Sequence, residues 1–341
     1  MKALMQSAKP EVPTNFFDLE SYNYELPADR IAQYPLKKRD TSRLLKLDRS
    51  TGNISDKHFS DLDQLLQKGD LVVLNNTRVI PSRLQSDRGE VLLIHETEKN
   101  CWDALVYPGK KFRPGDQVQF ENGMKAEVLS LSTVGRILRF QNDVDQLLNT
   151  HGSLPLPPYI TRAADSSDQK RYQTIYAKIR GSIAAPTAGL HFTRKIMNDL
   201  RERGIQTARI TLHVGPGTFR PVKSDDIRKH SLYPETYFCS KAVWKKIQNA
   251  PRVIAVGTTT TRAIESIAAT NELQGSTGLF IYPGYKFLIT SGLITNFHLP
   301  KSSLLMLVSA FGGYKNIRKA YQHAINLGYR FYSYGDAMLI V

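Results

Sequence analysis

The chain has 341 residues, 41% of them hydrophobic and 23% charged, which is the composition of an ordinary globular protein with a large core. Because single cores rarely grow beyond about 250–300 residues, this length favours two structural units. Lysine and arginine number 46 against 31 acidic residues, and the resulting net charge of +15 favours a polyanionic partner such as RNA or DNA. The alternative to a polyanionic partner is that the positive charge only keeps the protein soluble. Binding to a membrane surface is disfavoured because no basic amphipathic helix stands out.

Sparse cysteines and the lack of long apolar runs exclude further classes of protein. Cys101 and Cys239 are the only cysteines, and neither belongs to a C-x-x-C pair, so one chain cannot build a cysteine-ligated zinc ribbon or iron–sulfur cluster. No uninterrupted apolar run approaches the roughly 20 residues that a transmembrane helix needs. Residues 1–14 lack the apolar core of a signal peptide and are expected to form a disordered extension. We therefore expect a cytoplasmic protein.

The first ordered segment begins near residue 15 and ends in a polar turn. Short patterns predict a helix at 28–33, a strand at 44–48, a helix at 59–67 and the apolar strand Leu71–Leu74. The character then changes, and five short strand patterns alternate with Gly, Pro or Asn turns at 90–95, 102–107, 117–120, 126–131 and 136–140. This spacing is typical of a small sandwich or barrel.

From residue 159 the pattern alternates between apolar strands and helices. The predicted strands are 210–214, 253–256, 279–282 and 338–341, and the predicted helices are 193–203, 241–248 and 261–269. Such alternation predicts an α/β protein whose mostly parallel sheet is covered by helices. We expect the main α/β domain to comprise residues 15–81 and 152–341, with a small β-barrel domain inserted at residues 82–151.

Two segments carry a histidine beside glycine, threonine and apolar residues. They read A-A-P-T-A-G-L-H-F-T, which contains His191, and T-L-H-V-G-P-G-T-F-R-P-V, which contains His213. Histidine is readily tuned to act as an acid or base near neutral pH, and glycine permits close approach of the backbone to a ligand. Since the two histidines are about twenty positions apart, we expect them on opposite walls of one cleft.

Other motifs indicate ligand contacts, each with a structural alternative. The run V-I-A-V-G-T-T-T-T-R predicts a strand, a glycine turn and a helix whose threonines meet an anionic or hydroxyl-bearing ligand, although they can equally serve as a helix cap. Arg78 follows another strand and suits a carboxylate or phosphate. His298 and Tyr282 lie in apolar surroundings, where core packing is the alternative to ligand contact. Three basic segments, 37–43, 110–113 and 171–180, are candidate phosphate contacts or solvated faces.

Together these stretches resemble the S-adenosylmethionine:tRNA ribosyltransferase-isomerases of queuosine biosynthesis, from about Phe17 to Val341. The matching runs, in chain order, are L-N-N-T-R-V-I-P, L-P-L-P-P-Y-I, Y-Q-T-I-Y-A, A-A-P-T-A-G-L-H-F-T, T-L-H-V-G-P-G-T-F-R-P-V, V-I-A-V-G-T-T-T-T-R, F-I-Y-P-G-Y, L-I-T-N-F-H-L-P-K-S and Y-R-F-Y-S-Y-G-D-A-M-L-I. One position departs from the family's H-x-M-H-x-E pattern, because Tyr233 stands where the second histidine is expected. Either the family's second histidine has only an auxiliary role, or Tyr233 performs its role in this chain.

The resemblance implies that S-adenosylmethionine donates its ribosyl portion, which is transferred and rearranged onto 7-aminomethyl-7-deazaguanine at the tRNA wobble position. The product is epoxyqueuosine-tRNA, with adenine and methionine released. Proton transfers in this reaction call for at least two groups, and His191 and His213 are the first candidates, with His298 as a third. The expected substrate contacts are Arg78, Thr187, Thr218, Thr258, Thr260, Arg262 and Tyr282. The expected tRNA contacts are Lys37, Lys38, Arg39, Lys110, Lys111 and Arg171.

The resemblance further implies a monomer that needs no metal or resident cofactor, because S-adenosylmethionine is consumed as a substrate. Two alternatives remain open. A tRNA methyltransferase would use the same donor but release S-adenosylhomocysteine, and a non-catalytic basic RNA-binding protein would release nothing from it. A radical mechanism is disfavoured, since two isolated cysteines cannot supply the usual cluster ligands.

Overall fold

The computed structural model describes residues 15–219 and 222–341, without the side chains of residues 218 and 219. The predicted extension at 1–14 lies outside these residues. The strands are β1 Arg43–Leu47, β2 Ile54–His58, β3 Asp70–Asn75, β4 Thr77–Val79, β5 Arg83–Ser86, β6 Gly89–Glu98, β7 Cys101–Tyr107, β8 Gln117–Gln119, β9 Lys125–Leu131, β10 Arg136–Phe140, β11 Ile179–Ser182, β12 Gln206–Leu212, β13 Glu235–Phe238, β14 Arg252–Val256, β15 Gln274–Thr277, β16 Gly292–Asn296 and β17 Ala337–Ile340.

Helices cover the sheets and connect the strands. The α-helices are α1 Leu62–Leu65, α2 Asp145–His151, α3 Asp168–Arg171, α4 Arg194–Glu202, α5 Lys241–Gln248, α6 Thr258–Thr270, α7 Ser303–Gly312 and α8 Tyr314–Asn326. Single turns of 3-10 helix lie at Leu19–Tyr22, Ala28–Arg30, Arg39–Thr41, Phe59–Asp61, Gly109–Lys111, Thr187–His191, Pro216–Phe219 and Ile227–Lys229. Among the helices in the described ranges, none combines the length and apolar character that crossing a bilayer requires.

The main sheet has nine strands in the order β15-β13-β12-β3-β14-β16-β17-β1-β2. Strands β12, β3, β14 and β16 run parallel, and β17 and β1 form a second parallel pair. However, β17 is antiparallel to β16, and the outer strands β2, β13 and β15 are antiparallel to their neighbours. The α/β prediction is therefore confirmed, but the sheet is mixed rather than mostly parallel. The sequence pattern of a buried apolar strand is the same whether the strand runs parallel or antiparallel to its neighbour. Here helices α7 and α8 connect β16 to β17, and the chain returns antiparallel to β16.

Both faces of the main sheet are buried, as an α/β arrangement requires. Alternate residues of β3 enter different cores, with Leu71 and Val73 on one face and Val72 and Leu74 on the other. Helices α6, α7 and α8 contribute to the first core, and α1 and α4 contribute to the second. The parallel pairing of β12, β3, β14 and β16 places the carboxyl ends of these four strands along one edge of the sheet.

One predicted strand is wrong because a side chain replaces the sheet hydrogen bonds there. Residues 279–282 form no strand, and β15 lies just before them at 274–277. The carbonyl oxygen of Leu279 accepts a hydrogen bond from Arg262 Nε at 2.9 Å. The rings of Phe280 and Tyr282 pack 5.3 Å apart. The apolar run is thus partly buried without belonging to a sheet.

The second sheet is antiparallel, in the order β5-β6-β7-β10-β9-β8, and it is nearly closed. A bridge between Ser86 and Phe120, with the Asp87 amide donating to the Gln119 carbonyl at 3.0 Å, brings its two end strands together. The predicted small barrel is confirmed in this form, with one strand, β5, that the sequence did not reveal. The barrel has a hydrophobic core of its own, which supports the domain boundaries predicted at 81/82 and 151/152. Ile80, from outside these boundaries, also belongs to that core, and the boundaries stay a prediction.

Candidate active site

A cleft of about 520 Å³ lies at the carboxyl ends of β14 and β16, and we call it the strand-end cleft. Its polar lining includes Thr187, Thr258, Thr259, Asn296 and His298. Ligands of open α/β sheets bind at such positions because the loops that follow parallel strands converge there.

The threonine run after β14 divides into cleft residues and structural residues. Gly257 takes a φ of +89° and lets the chain turn into α6. The Thr260 hydroxyl donates to the Val256 carbonyl at 2.6 Å and is fully buried. Thr258 and Thr259 line the cleft, and the buried Thr259 Oγ1 has no hydrogen-bond partner in the structure. Of the two predicted contacts, Thr258 and Thr260, the geometry therefore favours Thr258, and Thr259 is a further cleft residue that the sequence pattern did not distinguish from its neighbours.

Asn296 ends β16 and joins the cleft to the histidine behind it. Its Nδ2 donates to the Tyr332 carbonyl at 3.1 Å, which fixes the orientation of the amide. The same Nδ2 lies 3.1 Å from His191 Nε2, which must therefore accept. His191 Nδ1 then carries the hydrogen and donates to Ser42 Oγ at 2.7 Å. The amide's other atom, Asn296 Oδ1, is buried without a hydrogen-bond partner in the structure.

His191 is thus held as a neutral ring whose two nitrogens are both engaged. Burial lowers its pKa to about 3, and the positive charges of Arg39, Arg330 and Arg171 also disfavour the protonated ring. The ring stacks on Phe59 at a centroid distance of 4.9 Å. This environment suits a positioning residue for Asn296 better than a group that exchanges protons with a substrate.

His213 lies in a second, wider cleft of about 1230 Å³ between the barrel and the main sheet, which we call the barrel-side cleft. Its Nδ1 is 2.8 Å from Thr77 Oγ1. The ring packs flat against Gly181, where an added Cβ would come within 2.9 Å of the imidazole. Burial lowers the pKa of His213, so that the neutral ring is favoured. Trp102 and Tyr233 supply aromatic surface to the same cleft.

The structure does not bring the three predicted histidines to one cavity. His298 lines the strand-end cleft, His213 lines the barrel-side cleft, and His191 lines a small cavity behind Asn296. The prediction that His191 and His213 are opposite walls of one cleft is wrong. The 3-10 turn at Thr187–His191 places Thr187 in the strand-end cleft and carries His191 behind the sheet edge. The two clefts nevertheless share Val214.

His298 is the histidine that reaches the strand-end cleft. Burial lowers its pKa to about 3, so the ring is neutral at physiological pH. Its Nε2 lies 3.2 Å from Thr295 Oγ1, and its Nδ1 lies 3.3 Å from the Tyr321 hydroxyl. Its pKa is as low as that of His191, and His298 differs from His191 in that it lines the strand-end cleft.

Several predicted substrate contacts serve other purposes or lie elsewhere. Arg262 forms a buried ion pair with Glu235 and donates to the Thr277 carbonyl at 3.1 Å, which favours a structural role. Arg78 is exposed on β4 and lies in register with Arg180 of β11. Tyr282 packs on Phe280 and Phe17, outside both clefts. The Thr218 side chain lies outside the described part of the chain.

The predicted tRNA contacts divide by exposure. Lys37, Lys38, Lys110 and Lys111 are exposed, whereas Arg39 and Arg171 are partly buried. Lys110 and Lys111 belong to the barrel's 3-10 turn. These positions stay predictions.

Comparison with known proteins gives the family. A family model described as "Queuosine biosynthesis protein" matches residues 19–340. The chain belongs to this family. A Desulfitobacterium hafniense protein named S-adenosylmethionine:tRNA ribosyltransferase-isomerase is 48% identical over 95% of this chain and 99% of its own length. A Clostridioides difficile protein of the same name is 48% identical over 94% of this chain and 98% of its own length.

A solved structure extends the comparison to three dimensions. The crystal structure of S-adenosylmethionine tRNA ribosyltransferase from Thermotoga maritima is 36% identical and covers 96% of this chain and 100% of its own, with a TM-score of 0.55. In this queuosine biosynthesis protein, Tyr233 stands at the barrel-side cleft. Its hydroxyl lies 3.4 Å from His95 Nδ1 and 3.5 Å from Asp103 Oδ2, both on barrel strands.

Proposed function

We propose that this chain transfers and isomerises the ribosyl portion of S-adenosylmethionine onto the tRNA wobble base, as an S-adenosylmethionine:tRNA ribosyltransferase-isomerase. Adenine and methionine are the released products and epoxyqueuosine-tRNA is the modified one. Membership of the queuosine biosynthesis family supports the reaction. The observation that supports its location is the strand-end cleft, with its two unpartnered buried oxygens on Thr259 and Asn296.

The strand-end cleft is the proposed donor site. S-adenosylmethionine offers ribose hydroxyls and an exocyclic amine, and the Thr259 hydroxyl and the Asn296 carbonyl oxygen are suitable partners for such groups. Thr187 and Thr258 line the same cleft and complete the proposed polar contacts. The ring of Tyr159 adds an aromatic face, which suits a sulfonium cation.

The barrel-side cleft is the proposed acceptor site. It is more than twice as large as the donor cleft, and Trp102 and Tyr233 offer rings on which an extruded base can stack. Both clefts share Val214, so a ribosyl group bound in one lies near a base bound in the other. This adjacency supports direct transfer between the two ligands.

The chemistry needs proton transfers at both clefts. The sulfonium acidifies the hydrogens on the ribose 5′-carbon, and a neutral imidazole there accepts the proton. His298 is our candidate because, of the two histidines whose pKa burial lowers to about 3, it is the one that lines the donor cleft. The aminomethyl group of the acceptor must lose a proton before its nitrogen attacks, and His213 is the candidate at that cleft. Adenine leaves with the electrons of its glycosidic bond and takes up a proton, and methionine leaves with the electrons of the bond between its sulfur and the ribose 5′-carbon.

Product analysis tests the proposed reaction. The protein is incubated with S-adenosylmethionine and tRNA carrying the 7-deazaguanine precursor, and small molecules are separated by liquid chromatography. Adenine and methionine in equal amounts support ribosyl transfer. S-adenosylhomocysteine would identify a methyltransferase, and an unchanged donor with tRNA still bound would identify a non-catalytic RNA-binding protein.

We also propose a cytoplasmic monomer without a resident cofactor or metal. A tRNA substrate supports the location, as do the two cysteines, which are free thiols. Light scattering coupled to size exclusion tests the monomer, and dialysis against a chelator followed by the adenine assay tests metal independence.

A further inference from the structure

Two basic segments that are far apart in sequence lock together on the surface. Arg39 Nη2 donates to the carbonyl of Lys170 on α3 at 2.9 Å. Reciprocally, Arg171 Nη1 donates to the carbonyl of Lys37 at 2.9 Å. Each arginine therefore braces the backbone that carries a lysine of the other segment. The two segments form one positively charged surface, which we call the arginine-clasp surface.

A small, partly open cavity adjoins this surface, and its lining contains no acidic side chain. Both Arg39 and Arg171 line it, together with Ser42, His191 and Ser333. Among residues 15–219 and 222–341, no carboxylate pairs with either arginine within 4.0 Å, and Arg171 Nε is buried without a hydrogen-bond partner. The nearby Asp168 is already engaged by Arg162 at 2.6 Å.

Within the described part of the chain, the charges of Arg39 and Arg171 are therefore not balanced by a directly paired carboxylate. Burial lowers the pKa of Arg39 to about 10 and also lowers the pKa of Arg171, so the protein holds both guanidinium groups at a cost. The charges of both arginines, with that of Arg330, act on buried His191. A bound anion would offset this cost. Both Nη atoms of Arg39 already donate to carbonyl oxygens, of Leu190 and Lys170, and Arg171 Nε is the guanidinium nitrogen without a partner among the described residues.

We propose that Arg39 and Arg171 form a subsite for one phosphate group of the tRNA backbone, with Lys37, Lys38 and Lys170 contacting neighbouring phosphates. The three lysines are exposed around the two arginines. Five positive side chains suit a ligand with several negative groups, such as an RNA backbone, better than the single carboxylate of S-adenosylmethionine. Ser333 lines both this cavity and the strand-end cleft, so the bound backbone passes close to the donor site. Only the identity of the polyanion rests on the proposed function.

The test measures RNA binding apart from turnover. A fluorescently labelled anticodon stem-loop is titrated by anisotropy at several salt concentrations with the wild type, Arg171→Gln and the pair Lys37→Gln/Lys170→Gln. Arg171→Gln removes the charge of Arg171, and the lysine pair removes two charges without altering the arginine contacts to the backbone. We expect affinity to fall about fivefold to tenfold for each charge removed, and the slope of log K against log salt to decrease by about 0.7–0.9 per lost phosphate contact.

The control is Lys241→Gln/Lys245→Gln, a matched pair of exposed lysines on α5, which should leave both quantities unchanged. Unchanged affinity and slope in Arg171→Gln and in the lysine pair would overturn the subsite. A raised KM for S-adenosylmethionine with normal RNA binding would also overturn it, because the anion would then be the donor carboxylate. If Arg171→Gln does not fold, the RNA affinity and salt slope of Lys37→Gln/Lys170→Gln test the proposal. Adenine release by the wild type tests the proposed function separately.

Discussion

Replacing His191 distinguishes a positioning role from proton transfer. The residue accepts from Asn296 and donates to Ser42, and its pKa of about 3 means that protonating the ring at pH 7 costs about 5 kcal/mol. In His191→Gln, the side-chain carbonyl can accept from Asn296 and the amide can donate to Ser42. In His191→Phe, the stack on Phe59 remains but both hydrogen bonds are lost.

The expected magnitudes follow from those two bonds. A buried polar group left without its partner costs about 1–3 kcal/mol, which is roughly 5-fold to 150-fold if the loss appears in kcat/KM. We therefore expect His191→Phe to lose about 10-fold to 100-fold in kcat/KM and His191→Gln to lose less than tenfold. Both variants should keep the wild-type dependence of rate on pH.

The assay is adenine release measured from pH 6 to pH 9, with the melting temperature of each variant as the control for folding. A general base contributes about 10²–10⁴-fold. If His191→Gln folded normally yet lost more than a thousandfold in kcat and one limb of its pH profile, the positioning role would be refuted. His191 would then exchange protons with the substrate.

Three further predictions concern the cleft, the buried ion pair and acid stability. Thr259→Val should raise the KM for S-adenosylmethionine about tenfold with an unchanged melting temperature, because the Thr259 hydroxyl has no partner within the described residues. Thr260→Val should leave that KM unchanged and lower the free energy of unfolding by about 1 kcal/mol, because the Thr260 hydroxyl bonds to the Val256 carbonyl. The opposite pair of results would show that Thr260, and not Thr259, contacts the donor. Arg262→Gln should lower the free energy of unfolding by about 3–5 kcal/mol, measured in urea, because it removes one member of the buried ion pair between Arg262 and Glu235; a loss below 1 kcal/mol would contradict this. The free energy of unfolding should be highest above pH 6.5 and should fall as the pH drops below that value. The reason is that histidines in the unfolded chain bind protons in this range, whereas the buried histidines of the folded protein stay neutral. Each such imidazole, His298 included, should account for about 2 kcal/mol at pH 5, and unfolding free energies equal at pH 7 and pH 5 would contradict the lowered pKa values.

Local patterns predicted the elements whose stability is local. Helix α5 was predicted over 241–248 and occupies those residues, since Ser240 caps it and its apolar positions repeat at helical spacing. The barrel strands were predicted within one or two residues for the most part because turns separate them, except that β6 extends to Glu98. The direction of β17 was not predictable, because it depends on the helices packed between it and β16.

The site depended on contacts between distant residues. Asn296 and His191 are 105 positions apart, and only the folded chain shows that one orients the other. The sequence marked the threonine run after β14 but not which hydroxyls bond back to the helix, so Thr260 was chosen in place of Thr259. Arg262 carried a charge that suited a ligand, and its burial with Glu235 could not be read from local composition.

Occupying the strand-end cleft with a larger side chain tests most directly whether the donor binds there. Leu304, on α7, lines the cleft, and Leu304→Trp narrows it. Leu131→Trp, on an exposed position of the barrel strand β9, is the matched control. The account predicts that Leu304→Trp raises the KM for S-adenosylmethionine at least tenfold while anticodon stem-loop binding and the melting temperature stay unchanged. An unchanged KM and rate in a folded Leu304→Trp protein would contradict it.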